Sequence, residues 1–456
     1  MKDATAVRRN LRAAFDEMIA RLQAARDAID TPELHPAPAD ERNLAEGYRY
    51  LIGFLLGSIE RALHDPLHPR FMRAIQPTNR ATIDNADAVY LYTEIDGSFS
   101  YRIRGRALDS RHWRGEEPAE GPRAPQYVIF ELASGYAGDS GSLAELIPGT
   151  RINTGTLDCH ALQVEEDGSF EILVAPEKPA GYDGNFLLGR RESRGKEHVG
   201  RFLTCRELFH DWANEDLLDL EILRLGCEKT PRPAIDEAGA IEMMRTIGEL
   251  TEHPMRFWNL FYSQLLETYG KTAIGLSQED EPPFMPRNDM NAPNALGIAT
   301  GGGQSTNIYS GGVYQLARDE ALIIESEVPD QPSFLGFHLS NLWGESLDFE
   351  SYQSSLNPAL MEMTDDGIYR WVVAHEDPGV PNWVDTTGLA HGFLTVRYTY
   401  AEPPPRERWP TLRVQKVAFD EIRAHLPAET GSATPADREQ AIAMRHRHVQ
   451  RRYRQY

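Results

Sequence analysis

His375 and Asp377 form an H-x-D pair inside the stretch AHEDPGVPNWVDTTG, residues 374–388, and Asp385 supplies a second carboxylate further along the same segment. In a strand, residues i and i+2 face the same side, so the imidazole and the first carboxylate can meet one substrate. Two carboxylates in different surroundings beside a histidine are the equipment of general acid–base catalysis. His375, Asp377 and Asp385 are therefore the expected catalytic groups of a cofactor-independent hydrolysis or elimination on a hydroxylated substrate, with aromatic side chains as its wall. Adding His391, which opens the return strand, gives two imidazoles and a carboxylate, the ligand set of a non-haem iron site at His375, Asp377 and His391. A third reading is structural: Asp377 and Asp385 accept backbone N–H groups, Asn382 makes an Asx turn, and Trp383 plugs the end of a β-sandwich.

The residues expected to bind the substrate are Asn341 and Trp343 in SNLWGESLD, then Asn382, Trp383, Thr387, His391 and Arg397. Arg397 alternates with Val396 and Tyr398, so if it points inward it needs an acidic partner, such as a loop aspartate. Long loops in compact domains are commonly functional, and Pro378 and Pro381 stiffen this one. The expectation is a small organic ligand of carbohydrate, lipid or aromatic type, bound at the open end of the second β-region, with a non-catalytic binding or assembly module as the alternative. The glycine-rich GIATGGGQSTNIYSGG, residues 297–312, lacks the Lys-Ser/Thr of a phosphate loop and reads as a linker or flap. No G-x-S-x-G elbow, H-E-x-x-H pair or kinase motif set is present, and no cofactor is expected.

The elements that must position these residues follow from periodicity. Residues 1–75 read as helices; Leu44, Tyr48, Leu51, Leu55, Ile59 and Leu63 recur at helical spacing and predict a buried stripe. From residue 86 the period becomes two, with hairpin turns expected at Asp96-Gly97 and Asp167-Gly168. Helical periodicity returns over about 204–270, with a kink or break expected before Pro254. A second β-region spans about 309–402, and a basic helix ends the chain. The expected class is α+β: two duplicated antiparallel β-sandwich or jelly-roll-like domains, at 76–205 and 301–402. Helical segments are expected at 1–75, 206–300 and 403–456.

The duplication rests on four matches in the same order. DAVYLYTEIDG parallels GGVYQLARDEA, PQYVIFELASG parallels PSFLGFHLSNLWG, EDGSFEILVAPE parallels DDGIYRWVVAHE, and GRFLTCRELFHDW parallels HGFLTVRYTYAEP. The polar cluster of the 374–388 loop has no evident counterpart in the first copy, which locates a function particular to the second domain there.

The second β-region resembles the bacterial domain of unknown function 1214, whose signature joins an N-W-L-x-x-x-x-G turn to a strand bearing an Arg. Asn382, Trp383, Gly388 and Arg397 match it, with Val384 in place of Leu. The upstream β-region is more loosely similar to domain of unknown function 1254. The resemblance implies two β-domains with helical insertions and carries no reaction.

Composition narrows the function classes. The 456 residues are 41% apolar and carry a net charge of −22, which disfavours nucleic acid as a partner. The basic end MRHRHVQRRYRQY is read as a helix docked on an acidic surface of its own subunit or of a neighbour. No apolar run reaches the roughly 18 residues of a membrane span, and no secretory leader is evident. The three cysteines fit neither a disulfide framework nor a zinc site, so the expected location is the cytoplasm, and a homo-oligomer is plausible.

Overall fold

The computed structural model describes residues 4–30, 40–267, 285–295 and 303–454. Two β-sandwiches follow one another along the chain. One sheet of the first runs, in spatial order, β1 (Met72–Ile75), β2 (Ala88–Glu94), β10 (Phe202–Leu208), β4 (Tyr127–Ala133) and β5 (Asn153–Asp158). Its second sheet runs β11 (Asp219–Arg224), β3 (Tyr101–Arg106), β6 (Ser169–Ala175) and β7 (Asn185–Leu188), with β8 (Arg190–Ser193) and β9 (Lys196–Val199) as a separate ribbon. In the second sandwich the corresponding sheet runs β12 (Asn307–Gln315), β18 (His391–Thr399), β14 (Phe334–Ser340) and β15 (Ser355–Leu356). The facing sheet runs β17 (Trp383–Asp385), β16 (Tyr369–Ala374), β13 (Glu320–Glu327) and β19 (Thr411–Ala418).

The two strand orders are the same once β1 is set aside. In both copies the last pair of the second sheet, β6 with β7 and β16 with β17, is parallel while the other pairs are antiparallel. Three of the four sequence matches hold their register. The β2 match shifts by five residues, because Tyr90 stands opposite Arg206 as Tyr309, and not Tyr314, stands opposite Arg397.

Several elements depart from expectation. Asp96-Gly97 and Asp167-Gly168 do not close hairpins: β2 and β3, like β5 and β6, lie in opposite sheets, so each connection crosses the sandwich. Residues 205–226 are not helical. Their Leu and Ile positions also fit period two, and β10 and β11 extend the first sandwich past residue 205, as β19 extends the second past 402.

Four helices are described: α1 (Ala4–Asp30), α2 (Glu41–Ala62), α3 (Glu237–Glu267) and α4 (Pro435–Arg452). The α2 helix buries Asn43, Gly47, Tyr50, Leu51, Phe54 and Ser58, leaving Tyr48, Ile59 and Leu63 of the expected stripe exposed. Close approach decides this: a Cβ on Gly47 would lie 2.5 Å from the Trp343 ring. The α3 helix continues through Pro254, which sits against Gly138 with 3.2 Å between the Pro254 Cα and a Cβ built on that glycine. Tertiary packing outweighs the lost hydrogen bond. Residues 268–270, 281–284 and 296–302, to which part of the expected helix, linker and flap belong, lie outside the described residues.

The basic end docks on its own chain. Thr434 and Asp437 form a capping box with Pro435 in the first turn, and α4 buries Arg445, His448, Val449 and Arg452. The receiving surface is aromatic more than acidic, since Arg452 lies over Trp212 at 4.4 Å and over Phe349 at 5.0 Å.

Candidate functional site

The 374–388 loop spends its polar groups on itself. His375 Nδ1 meets the Thr386 hydroxyl at 2.7 Å and Nε2 meets the Leu316 carbonyl at 3.1 Å, so both ring nitrogens are engaged. Asp377 takes two N–H bonds from Arg438, at 2.9 and 3.0 Å, and one from the Gly379 backbone. Burial works against its ionisation, yet Arg438 and that N–H hold its carboxyl below the ordinary range. Asp385 accepts from the Thr387 N–H at 2.7 Å, fixing Thr387 at φ 54°. Burial pushes the Asp385 carboxyl up. Each of the three expected catalytic groups is thus occupied by its own partner, and no hydrogen bond joins any two of them. His391 is half-buried on β18, and burial lowers its imidazole. No group of three or more His, Cys, Asp or Glu placed to hold a metal ion exists among the described residues.

The expected binding residues divide in the same way. Asn382 donates to the Glu362 carbonyl and accepts from its N–H, a two-bond clamp that Asn185 repeats on Gln163 in the first copy. This corrects the expectation that the loop's polar residues have no counterpart: Asn382 belongs to the shared frame. Trp383 donates to the Ala374 carbonyl beneath Arg438. Thr387 is held by Arg42. Asn341 caps its own turn and donates to Glu345, while Trp343 is fully buried and donates to the Asn43 carbonyl of α2. A cavity of about 460 Å³ including solvent lies beside Asn382 and Arg370, without the three acid–base groups.

Arg397 is placed differently. On β18, Leu394, Val396 and Tyr398 point into the second sandwich's core, so Thr395 and Arg397 point to the outer face. On β10, Leu203 and Cys205 point into the first core, and Thr204 and Arg206 point outward. These outer faces line a cleft between the sandwiches of about 920 Å³ counting its open mouth, continued by a lobe of about 700 Å³. Thr82, Ala137, Trp258 and Gly303 line both. Helix α3 contributes Trp258, Phe261 and Leu265 as an apolar wall.

The duplicated strands build this cleft with pseudo-equivalent groups. Arg206 is opposite Tyr90, and Thr204 is opposite Glu131; Arg397 is opposite Tyr309, and Thr395 is opposite His338. Arg206 pairs with Glu131, which also accepts from Asn153 and from the Ser305 N–H. Arg397 donates to the His338 ring and to the Ile83 carbonyl, and lies over the Tyr309 ring at 5.8 Å. Burial, with the Arg397 charge beside it, holds His338 well below the ordinary imidazole range, so it is neutral. Burial pushes the Tyr90 phenol up to about 12, and both arginines act against that rise.

The rim contains strained backbone. Thr82 and Ile83 have φ of 63° and 53°, a conformation costly for β-branched residues. Ile83 is held there by its N–H to the Gly344 carbonyl and by Arg397. Sequence reasoning included Arg397 but missed Arg206, Glu131, Tyr90 and Trp258. The signal was present: FLTCRE against FLTVRY repeats the Thr and the Arg.

No family model matches the chain, and no curated protein does. Among solved structures, an uncharacterised protein from Burkholderia cenocepacia is similar, with a TM-score of 0.71 and 24% identity over 92% of this chain and 100% of that one. A Vibrio parahaemolyticus protein aligns at a TM-score of 0.39 and 11% identity over 87% of this chain and 100% of that one. The first likeness shows the fold: an α+β chain of duplicated sandwiches with helical additions. Among the described residues no helix is long and apolar enough to cross a membrane.

Proposed function

We propose that this protein binds a small organic molecule in the cleft between its two sandwiches. One observation carries the reading: the outer faces of β10 and β18 direct equivalent Thr and Arg side chains into two adjoining lobes that share Trp258, the larger of them walled also by Phe261 and Leu265. An apolar cavity with a few convergent polar groups is the usual form of a small-molecule site. Left-handed Thr82 and Ile83 at its rim add to this, since such strain concentrates at ligand sites. The cytoplasm is the proposed location, supported by three cysteines without disulfide partners.

The test uses Nile red, a neutral apolar dye, titrated against the full chain. Saturable binding is expected, weakened about tenfold by Phe261→Ala, which removes one ring of the wall, and unaffected by His375→Gln in the loop. Loss of dye binding in the loop variant alone would overturn the cleft in favour of the open end of the second sandwich.

A further inference from the structure

Among the described residues, three groups on the wall of the cleft lack the partner their chemistry calls for. Arg397 is 93% buried, at 7% exposure, and among the described residues it forms no ion pair; its bonds go to a neutral imidazole and a backbone carbonyl. The Thr395 hydroxyl, two residues away on the same face of β18, is buried and has no hydrogen-bond partner among the described residues. The Trp258 indole N–H, on the facing helix, is likewise buried without an acceptor among the described residues.

The other charges around the cleft do not supply the missing anion. Glu131 is engaged with Arg206, Asn153 and Ser305. Asp84 acts on Arg397 from a distance, but its oxygens accept from the Ser346 N–H at 2.9 Å and the Ser346 hydroxyl at 2.6 Å, and Arg80 lies beside it. The first copy therefore closes its arginine with an internal carboxylate, where the second copy has His338 at the equivalent place.

Resting on the reading of the cleft as the binding site, we infer that its ligand is a carboxylic acid with an apolar body, its carboxylate held by Arg397 and the Thr395 hydroxyl and its body against Trp258 and Phe261. A guanidinium fork matches a carboxylate, and a hydroxyl donor on the same strand face can serve the second oxygen. Arg206 is already paired with Glu131, which leaves Arg397 as the arginine of the duplicated pair that takes a single carboxylate.

The experiment compares octanoate with octanamide, which share a chain and differ in charge, by calorimetric titration of the full chain at pH 7. Octanoate is expected to bind at least about tenfold more tightly than the amide, the worth of one charged hydrogen-bonded contact. Arg397→Gln should remove that preference, Arg397→Lys should keep part of it, and Thr395→Val should reduce it severalfold with the fold intact. Equal binding of acid and amide, or an undiminished preference in Arg397→Gln, overturns the carboxylate assignment and leaves the cleft standing. Binding of neither probe, together with no Nile red binding, overturns both.

Discussion

Arg206 and Arg397 occupy equivalent positions on the central strands of the two sandwiches, and among the described residues only Arg206 of the two has a carboxylate partner. The duplication kept the cation and changed what faces it, Glu131 in one copy and His338 in the other. A buried charge without a counter-ion is costly unless it is otherwise solvated, and Arg397 is offset by two hydrogen bonds and a ring face.

The asymmetry is measurable as stability. Arg206→Gln strands the buried Glu131 carboxylate and is expected to cost about 3 kcal/mol, partly recovered in Arg206→Gln/Glu131→Gln. Arg397→Gln leaves no carboxylate behind and is expected to cost only about 1 kcal/mol. Urea unfolding of the four proteins checks this. Equal losses for the two arginines would mean that Arg397 has a compensating anion within the fold.

Stability should also depend on pH in a direction set by buried groups. Burial pushes the Glu207 carboxyl up to about 8 and that of Glu215 up to about 7. The folded chain thus keeps protons that the unfolded chain releases near pH 4, and stability falls as pH rises through each folded value. Burial lowers His210 to about 4 and holds His338 and His448 well below the usual range, so these contribute stability that is lost as pH falls below about 6.5. The two trends separate above about pH 6.5, where the histidines are neutral in both states. Urea midpoints are expected to decline between pH 6.5 and 8.5, and Glu207→Gln should flatten most of that decline. A midpoint that rises with pH over this window contradicts the assignment.

The architecture was legible wherever one pattern dominated. The Asp-Gly turns that precede β6 and β16 and the FLT pair carried the duplication, and the side chains of the FLT strands alternate between a core and an outer face in both copies. Periodicity failed where two periods fit the same residues, as in 205–226, and where small residues set the contact, as at Gly47 under Trp343. The site was sought where the copies differ. Asn382 shows the weakness of that rule, since its counterpart Asn185 makes the same clamp from a sequence whose flanks are unlike. Arg206 and Arg397 differ in partners that lie on other strands, a distinction that only the register of β4 and β14 reveals.

The loop around His375 is expected to matter for stability and not for binding. Asp377 is one-third exposed and ties the loop to Arg438 of α4 through two charged bonds. Asp377→Asn should therefore cost about 1 kcal/mol and lower the melting temperature by a few degrees, with octanoate affinity unchanged. A loss of ligand affinity at unchanged stability would return the site to the loop.

Arg452 separates charge from packing in the docking of α4. Its guanidinium is fully buried over Trp212 and Phe349 and donates to the Ala86 carbonyl, while Nε and one terminal nitrogen have no partner among the described residues. Asp87, which with Glu350 is a carboxyl whose charge acts on it, is pushed up to about 6 by burial and already accepts from Asn357 and Trp212. Replacing a buried ion by an apolar side chain of similar volume is often close to neutral, because the desolvation cost disappears with the charge. Arg452→Met is accordingly expected to unfold within about 1 kcal/mol of the parent, whereas Arg452→Ala, which leaves a cavity between the rings, should lose about 3 kcal/mol. If Met proves as damaging as Ala in urea titrations, the positive charge itself holds the helix, and the aromatic surface must be read as a cation site built for arginine.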